Sequence, residues 1–289
     1  MIRALIKEAR PKQWIKNVLV FAAPGAAGVI THSQELTRSL IIFVAFCLAS
    51  SGTYFWNDIL DVEADRAHAT KRNRPVASGA LPINVARVVG CLLIVGGPAL
   101  AFAARWQAGV VCIGYVVLTS SYSALWKHIA VVDLVAVAAG FVLRAVGGAS
   151  ATNVHMSTWF VLCTTFGSLF IVTGKRYAEL RELGDEPTTA RATLEEYSMD
   201  FLRTVLAISC GATLVSYCIW AFESKELSGT SWPSYELSIV PMLTALLRYL
   251  LIIEQGHGAA PEEIFAADRT LQVLGVVWMI VFASGVYLK

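Results

Sequence analysis

The chain has 289 residues, of which 56% are hydrophobic and 15% are charged, and its mean hydropathy is +0.61. Soluble globular proteins carry about 25% charged residues, so this composition excludes an ordinary water-soluble domain. The apolar residues fall in long runs, as in polytopic membrane proteins. The net charge of +2 does not indicate a nucleic-acid partner, because membrane topology determines where Lys and Arg lie in such a chain.

These runs predict an all-α fold, a single transmembrane domain over residues 1–289. We expect a bundle of about nine transmembrane helices. The expected spans are 14–30, 37–56, 83–104, 108–125, 129–149, 156–173, 201–222, 236–254 and 270–288.

The distribution of Lys and Arg predicts the orientation of the chain. These residues cluster in the N-terminal arm, in the loop after the second span and in the loop after the sixth span, whereas the opposite loops hold few of them. Cytoplasmic loops of membrane proteins carry the excess of Lys and Arg. We therefore expect a multi-pass protein of the inner (plasma) membrane, with these three segments in the cytoplasm.

The N-terminal segment RPKQWIKN is amphipathic, and its second lysine, Lys16, lies beside the apolar run VLVFAAP. A lysine at that depth needs an anionic partner. Lys16 is therefore a candidate phosphate ligand, with an ordinary interfacial anchor as the alternative. For Lys12 we adopt the anchor interpretation.

The most informative stretch is 54–79, YFWNDILDVEADRAHATKRNRPVASG. Asn57, Asp61 and Asp65 recur every four residues and so share one face of a helix. Oxygen ligands at that spacing suit Mg²⁺, which binds one or two carboxylates together with substrate phosphates. Tyr54 shares the same face, whereas Asp58 lies off it.

We call Asn57, Asp61 and Asp65 the acidic stripe. A basic segment follows it and is a candidate for binding phosphate. Its members are Lys71, Arg72 and Arg74. The alternative interpretation is a solvated charged loop, but the density of carboxylates on one face favours a metal–phosphate site.

Further ionisable residues occur at three places along the chain. Tyr122 and Lys127 lie in a short loop, SSYSALWKH, on the expected side of the acidic stripe, where Lys127 is a candidate phosphate contact. Asp133 and Arg144 lie within the fifth span, and Arg248 in the eighth has Glu254 as a candidate partner. Ionisable groups inside a span are either functional or paired.

The loop after the sixth span forms a second charged cluster. Lys175 and Glu179 share one helical face, Tyr177 lies between them, and Gly184 is the expected end of that helix. Two charged clusters on the cytoplasmic side predict a polar cavity that opens to the cytosol.

The Asn57–Asp61–Asp65 pattern, about nine spans and a charged loop after the sixth span resemble the UbiA superfamily of intramembrane prenyltransferases. The segments RPKQWIKN, NDILDVEADRAHATKRNRP and GSLFIVTGKRYAEL are similar to its actinobacterial branch, the decaprenyl-phosphate phosphoribosyltransferases. That resemblance extends over essentially the whole chain.

The resemblance implies transfer of 5-phosphoribose from phosphoribosyl diphosphate to decaprenyl phosphate, a lipid, with release of diphosphate. The product would supply arabinose donors for cell-wall arabinogalactan and lipoarabinomannan. Asn57, Asp61 and Asp65 would hold Mg²⁺, with Asp61, Asp65 and Glu179 as catalytic residues. The sequence leaves the oligomeric state open, a homo-oligomer included.

The remaining candidates would bind substrate, with the lipid phosphate assigned to two of them, Lys16 and Arg144. The full set of expected substrate contacts is Lys16, Tyr54, Lys71, Arg72, Arg74, Tyr122, Lys127, Arg144, Lys175 and Tyr177.

Two alternative functions require features that differ from those of this sequence. A UbiA-type aromatic prenyltransferase of quinone or haem biosynthesis shares the first motif, but it would carry a second aspartate-rich loop, whereas the segment Lys175–Leu180 holds one carboxylate and two cations. A transporter or channel would place ionisable residues along a path through the bilayer. Here they concentrate at one face.

Overall fold

The computed structural model of the chain describes residues 1–68, 70–183, 192–256 and 261–288, and all regular structure within these ranges is helical. Gly184, the expected end of a helix, lies outside the described residues. The chain divides into two compact units. Unit 1 comprises residues 1–127 and 143–155, and unit 2 comprises residues 128–142 and 156–289.

Unit 1 is built on six α-helices and shares a seventh with unit 2. In chain order these helices are α1 (Ile2–Ala9), α2 (Ala22–Ala26), α3 (Ser33–Leu60), α4 (Val62–Ala67), α5 (Ile83–Ala104), α6 (Trp106–Ala124) and the shared α7 (Val132–Thr152). A 3-10 helix, Pro11–Phe21, joins α1 to α2, and a second one, Lys71–Asn73, follows α4.

Close contact between α3 and α5 organises unit 1. A Cβ atom added to Gly97 would lie 2.8 Å from the carbonyl oxygen of Ala45, and one added to Gly52 would lie 2.7 Å from Ile94. Small residues allow helix backbones to approach in this way, as is common in membrane proteins. The end of α3 that carries the acidic stripe is therefore held against a second long helix.

Unit 2 contains the remaining helices, packed around buried aromatic and aliphatic side chains such as Phe170 and Tyr249, whose ring centres lie 5.5 Å apart. They are α8 (Thr158–Leu183), α9 (Ala192–Glu196), α10 (Met199–Ser228), α11 (Ser234–Leu237), α12 (Ile239–Glu254), α13 (Pro261–Ala267) and α14 (Arg269–Tyr287).

Side-chain caps fix two of the helix starts in unit 2. The Ser198 hydroxyl accepts a hydrogen bond from the backbone N–H of Phe201 at the start of α10. The Asp268 carboxylate accepts one from Leu271 at the start of α14. Such caps satisfy N–H groups that have no partner within the helix.

The predicted all-α membrane fold is confirmed: seven helices among the described residues are long and apolar enough to cross a membrane. They correspond to seven of the nine expected spans. At the other two expected spans, the structure differs from the prediction. Span 14–30 is mostly the 3-10 helix Pro11–Phe21 followed by the five-residue α2, and α6, over span 108–125, ends in the polar run TSSYSA.

Apolar side chains cover the outer face of the spans. On α5, Val88, Leu92 and Val95 are each at least 60% exposed and lie one turn apart along one side of the helix. A continuous exposed apolar stripe on a helix of this length is the surface that lipid covers.

Candidate functional site

The acidic stripe continues across the junction between α3 and α4. The backbone N–H of Asp61 donates to the carbonyl of Asn57 at 2.9 Å, and that of Asp65 donates to the carbonyl of Asp61 at 2.8 Å. These are the i to i−4 hydrogen bonds of an α-helix. The three side chains thus keep a helical spacing although α3 ends at Leu60.

Each carboxylate of the stripe is paired with a cation. Lys127 Nζ lies 2.5 Å from Asp61 Oδ1, and Arg74 Nη1 lies 2.7 Å from Asp65 Oδ2. Asp65 is buried, whereas the Asp61 side chain is 28% exposed. The pairs bring two predicted phosphate contacts, Lys127 and Arg74, directly to the predicted metal ligands.

Two carboxylates and one amide form a donor set that suits Mg²⁺. Within residues 1–68, 70–183, 192–256 and 261–288, no three His, Cys, Asp or Glu side chains form a group that could hold a metal ion. Mg²⁺ commonly takes one or two carboxylates and completes its shell with water and substrate phosphates. Asn57, Asp61 and Asp65 therefore fit the ion chemically, and a bound ion would replace the cations on the two aspartates.

Asp58 is the residue of this region that sequence reasoning missed. It is 1% exposed, and both of its oxygens accept hydrogen bonds from Arg10, at 2.5 and 2.6 Å. Arg74 also donates to Asp58, at 3.1 Å. Arg74 therefore bridges the buried Asp58 to Asp65 of the stripe.

The other predicted contacts of unit 1 occupy different positions around this region. The Arg10 guanidinium lies 4.9 Å from the ring centre of Tyr54. Arg72 is exposed, and Lys16 and Tyr122 are half-buried. The structure thus joins Tyr54 to the Arg10–Asp58 pair.

Arg144 is 6% exposed and is bound inside unit 1. Its Nε donates to Oδ1 of Asn17 at 2.7 Å, and its Nη2 donates to the hydroxyl of Tyr115 at 2.8 Å. Asn17 directly follows Lys16 in the chain. Asn17 and Tyr115 each present a neutral oxygen to this arginine.

In unit 2, a buried ion pair anchors the second charged cluster. Arg176 donates to Asp133 at 3.2 Å and to Glu179 at 2.6 Å. Lys175 lies 3.7 Å from the other oxygen of Glu179. Arg176 is 4% exposed, so it is part of the interior and does more than orient the chain in the membrane. The side chain of Lys175, in contrast, is 41% exposed.

A strained backbone position adjoins this ion pair. Val131 has a φ of 68°, which is unfavourable for a β-branched residue. Its N–H donates to the hydroxyl oxygen of Tyr197, and that hydroxyl donates to Asp133 at 2.5 Å. Burial and the hydrogen bond to Asp133 raise the pKa of Tyr197 above its ordinary value.

Tyr177 and Arg248 have structural partners in unit 2. Tyr177 is 1% exposed, and its hydroxyl donates to Glu254 and accepts from Arg203. Arg248 pairs with Asp268 at 2.7 Å. The expected Arg248–Glu254 pairing is wrong, because the chain returns Asp268 to α12 just before α14 begins.

Comparisons with known proteins match this architecture. The family model described as the UbiA prenyltransferase family matches residues 18–268. A decaprenyl-phosphate phosphoribosyltransferase from Corynebacterium glutamicum is 42% identical over 98% of this chain and 87% of the relative. One from Mycobacterium tuberculosis is 39% identical over 99% of this chain and 95% of the relative.

The solved structure of a UbiA homologue from Archaeoglobus fulgidus bound to DMAPP and Mg²⁺ superimposes with a TM-score of 0.73. Its sequence is 15% identical, and the match covers 97% of each chain. This likeness shows the fold, and the family match over residues 18–268 together with the 42% identical relative shows that the chain belongs to the UbiA prenyltransferase family.

Proposed function

We propose that the protein transfers 5-phosphoribose from 5-phosphoribosyl 1-diphosphate to decaprenyl phosphate and releases diphosphate. The observation that carries this proposal is the 42% identity, over 98% of the chain, to a relative named for that activity. A 39% identical relative with the same name supports it.

The leaving group of this reaction requires neutralisation of negative charge. We assign Asn57, Asp61 and Asp65 as the residues that would hold Mg²⁺. The ion would stabilise charge on the departing diphosphate. Lys127 and Arg74, now paired with the two aspartates, would then be released to contact phosphate oxygens. Lys71 and Arg72 add positive charge in the same segment.

In the proposed step, the bond between ribose C1 and the diphosphate oxygen breaks, and an oxygen of the lipid phosphate forms the new bond to C1. The second pKa of a phosphate monoester is about 6, so the group is largely ionised at neutral pH. The acceptor therefore needs no general base. Two cations, Lys16 and Arg144, are proposed to hold the lipid phosphate.

Residues of the second charged cluster are proposed to act on the sugar donor. Glu179 would accept hydrogen bonds from ribose hydroxyls, with Lys175 beside it as a phosphate contact. Tyr177 is buried under Arg203, so its contribution would be to support this helix. Tyr54 and Tyr122 complete the proposed set of substrate contacts.

The donor is a soluble, multiply charged molecule that does not cross a bilayer. We therefore propose a plasma-membrane protein whose active site faces the cytoplasm, in agreement with the distribution of Lys and Arg.

The test uses purified full-length protein in detergent with Mg²⁺. Radiolabelled phosphoribosyl diphosphate plus polyprenyl phosphate should yield labelled lipid, whereas prenyl diphosphate plus 4-hydroxybenzoate should yield no prenylated product. Prenylation of the aromatic acid without sugar transfer would refute the proposal and favour the aromatic prenyltransferase alternative.

A further inference from the structure

A polar cavity of about 340 Å³ lies in unit 1 between the end of α1 and the segment that follows α4. Its lining brings together four cations, two from each side. They are Lys7, Arg10, Lys71 and Arg74. Lys7 and Arg10 were not among the residues expected to bind substrate.

The cavity is also lined by two carboxyl groups, Glu8 and Asp58. Glu8 is 1% exposed, and no N–H or O–H group of the described residues donates to either of its oxygens.

Asp58 accepts hydrogen bonds from both Arg10 and Arg74. Burial, with a smaller contribution from the neighbouring Asp58, raises the pKa of Glu8 to about 8. Four cations and two carboxyl groups line the cavity, so its described lining has an excess of positive charge in either protonation state of Glu8.

The position of Arg74 connects this cavity to the acidic stripe. Arg74 lines the cavity and also donates to Asp65 at 2.7 Å. A ligand that bound Mg²⁺ on the stripe through one anionic end could thus place a second anionic end in the cavity. Of the described lining residues, only Pro75 is apolar, so the cavity offers no wall for a polyprenyl chain.

We propose that this cavity is a binding site for a phosphate monoester and that, in the reaction proposed above, it takes the 5-phosphate of the sugar donor. This assignment rests on the proposed function for the identity of the donor. The assignment of a phosphate site is independent of that function, because a doubly charged phosphate matches a compact group of lysine and arginine side chains.

Lys7 is the residue best suited to a test. It is exposed, and among the described residues its Nζ donates one hydrogen bond, 3.2 Å long, to the backbone carbonyl of Asn73. Its removal should therefore leave the fold intact. Lys12 is the matched control, because it is also an exposed lysine of the N-terminal segment but does not line the cavity.

The first experiment measures binding of radiolabelled ribose 5-phosphate to the full chain in detergent, with EDTA present so that the metal site cannot contribute. Wild type and Lys12→Ala should bind equally. Lys7→Ala should bind roughly tenfold more weakly, as expected for the loss of one charge-assisted contact. Phosphoribosyl diphosphate should displace the ligand, and a short-chain polyprenyl phosphate should not.

Equal binding by Lys7→Ala and wild type would overturn the proposal, and so would transfer activity in a wild-type protein that does not bind ribose 5-phosphate. Displacement by polyprenyl phosphate alone would assign the cavity to the lipid phosphate and refute the donor assignment. Binding that depends on Lys7 in a protein without phosphoribosyl transfer would refute the proposed function but not the phosphate site.

A second experiment separates the two substrates in turnover. Lys7→Ala should raise KM for the sugar donor roughly tenfold and leave KM for the lipid acceptor unchanged, whereas Lys7→Arg should restore most of the loss. A change confined to the lipid KM would contradict the donor assignment.

Discussion

The ammonium nitrogen of Lys127 lies 2.5 Å from Oδ1 of Asp61, although the two residues are 66 positions apart in the chain. The cation occupies an oxygen that the proposed metal ion would need. Lys127 and the metal should therefore compete for Asp61.

We expect Lys127→Ala to bind Mn²⁺, a paramagnetic substitute for Mg²⁺, roughly tenfold more tightly than wild type, because one charge-assisted contact to Asp61 is lost. Turnover should nevertheless fall, since Lys127 is also proposed to contact phosphate. Titration followed by electron paramagnetic resonance measures the affinity, with Lys12→Ala as control. An unchanged or weaker affinity in Lys127→Ala would show that the two cations do not compete.

Asp61→Ala and Asp65→Ala should each lower turnover by roughly 100-fold or more, the cost of removing a group that stabilises charge in the transition state. Product formation is measured at saturating Mg²⁺, and size-exclusion chromatography checks that the variants remain folded. Glu63 is the matched control, because its side chain is 81% exposed and pairs only with Arg66 among the described ion pairs. Full activity in both aspartate variants would remove the metal assignment.

Glu8 should make the stability of the protein depend on pH. Its pKa rises from 4.5 to about 8 on folding, so the folded state binds the proton more strongly than the unfolded state. The free energy of unfolding should therefore decrease as pH rises through that window, by up to about 1.4 kcal/mol per pH unit. The charged groups around Glu8 are Asp58, Arg10 and Arg74.

Glu8→Gln, which is neutral at every pH, should lack this contribution. The Tm of the variant minus that of wild type should increase from about pH 5 to about pH 8. Parallel Tm curves for the two proteins would mean that Glu8 does not titrate with a raised pKa.

Substitutions of Lys175 and Asp133 should distinguish an effect on substrate binding from an effect on protein stability within the second charged cluster. Asp133→Ala leaves the buried Arg176 without one of its two carboxylates and should cost roughly 3 kcal/mol of stability. Lys175→Ala removes a partly exposed pair and should change stability by less than about 1 kcal/mol.

In contrast, Lys175→Ala should raise KM for the sugar donor roughly tenfold or more, with the lipid KM unchanged. Thermal unfolding and steady-state kinetics on the same preparations provide both readouts. Wild-type kinetics in Lys175→Ala would exclude this residue from the donor site.

The orientation can be tested with single cysteines in a background without native thiols. Ala80 and Leu227 are both exposed. Ala80 lies before the start of α5 and Leu227 in the last turn of α10, positions that the Lys and Arg distribution assigns to opposite sides of the membrane. Ala80→Cys should react with a membrane-impermeant maleimide only in inside-out vesicles, and Leu227→Cys only in right-side-out cells. The reverse labelling pattern would place the acidic stripe outside the cell.

Local periodicity was enough to predict the features that one helix carries. Asn57, Asp61 and Asp65 keep their helical spacing in the structure, because the hydrogen bonds that set it involve neighbouring turns. Long apolar runs likewise predicted the seven helices among the described residues that are long and apolar enough to cross a membrane.

Contacts between distant segments were not predictable in the same way. Arg10 and Asp58 are 48 positions apart, and no spacing rule relates an arginine after one helix to an aspartate at the end of another. The pair was overlooked because Asp58 lies off the acidic stripe. The expected partner of Arg248 was wrong for the same reason: Glu254 is near in sequence, but Asp268 is near in space.

The segment 14–30 shows a different limit. Its hydropathy predicts a span, but the apolar run is shorter than the bilayer requires and contains Lys16 and Asn17. The chain instead forms a 3-10 helix that buries Asn17 against Cys47 and Ser50 of α3. Tertiary hydrogen bonds to a neighbouring helix therefore decide the conformation here.

The close approach of α3 and α5 restricts how the acidic stripe can move. Gly52 and Gly97 leave no room between the two backbones, so α3 can neither slide along α5 nor rotate against it without a steric clash. Movement of the acidic stripe relative to α5 would then arise after Leu60, where α3 ends. Asn57, which lies in α3, would keep its position, whereas Asp61 and Asp65 would be able to move relative to it.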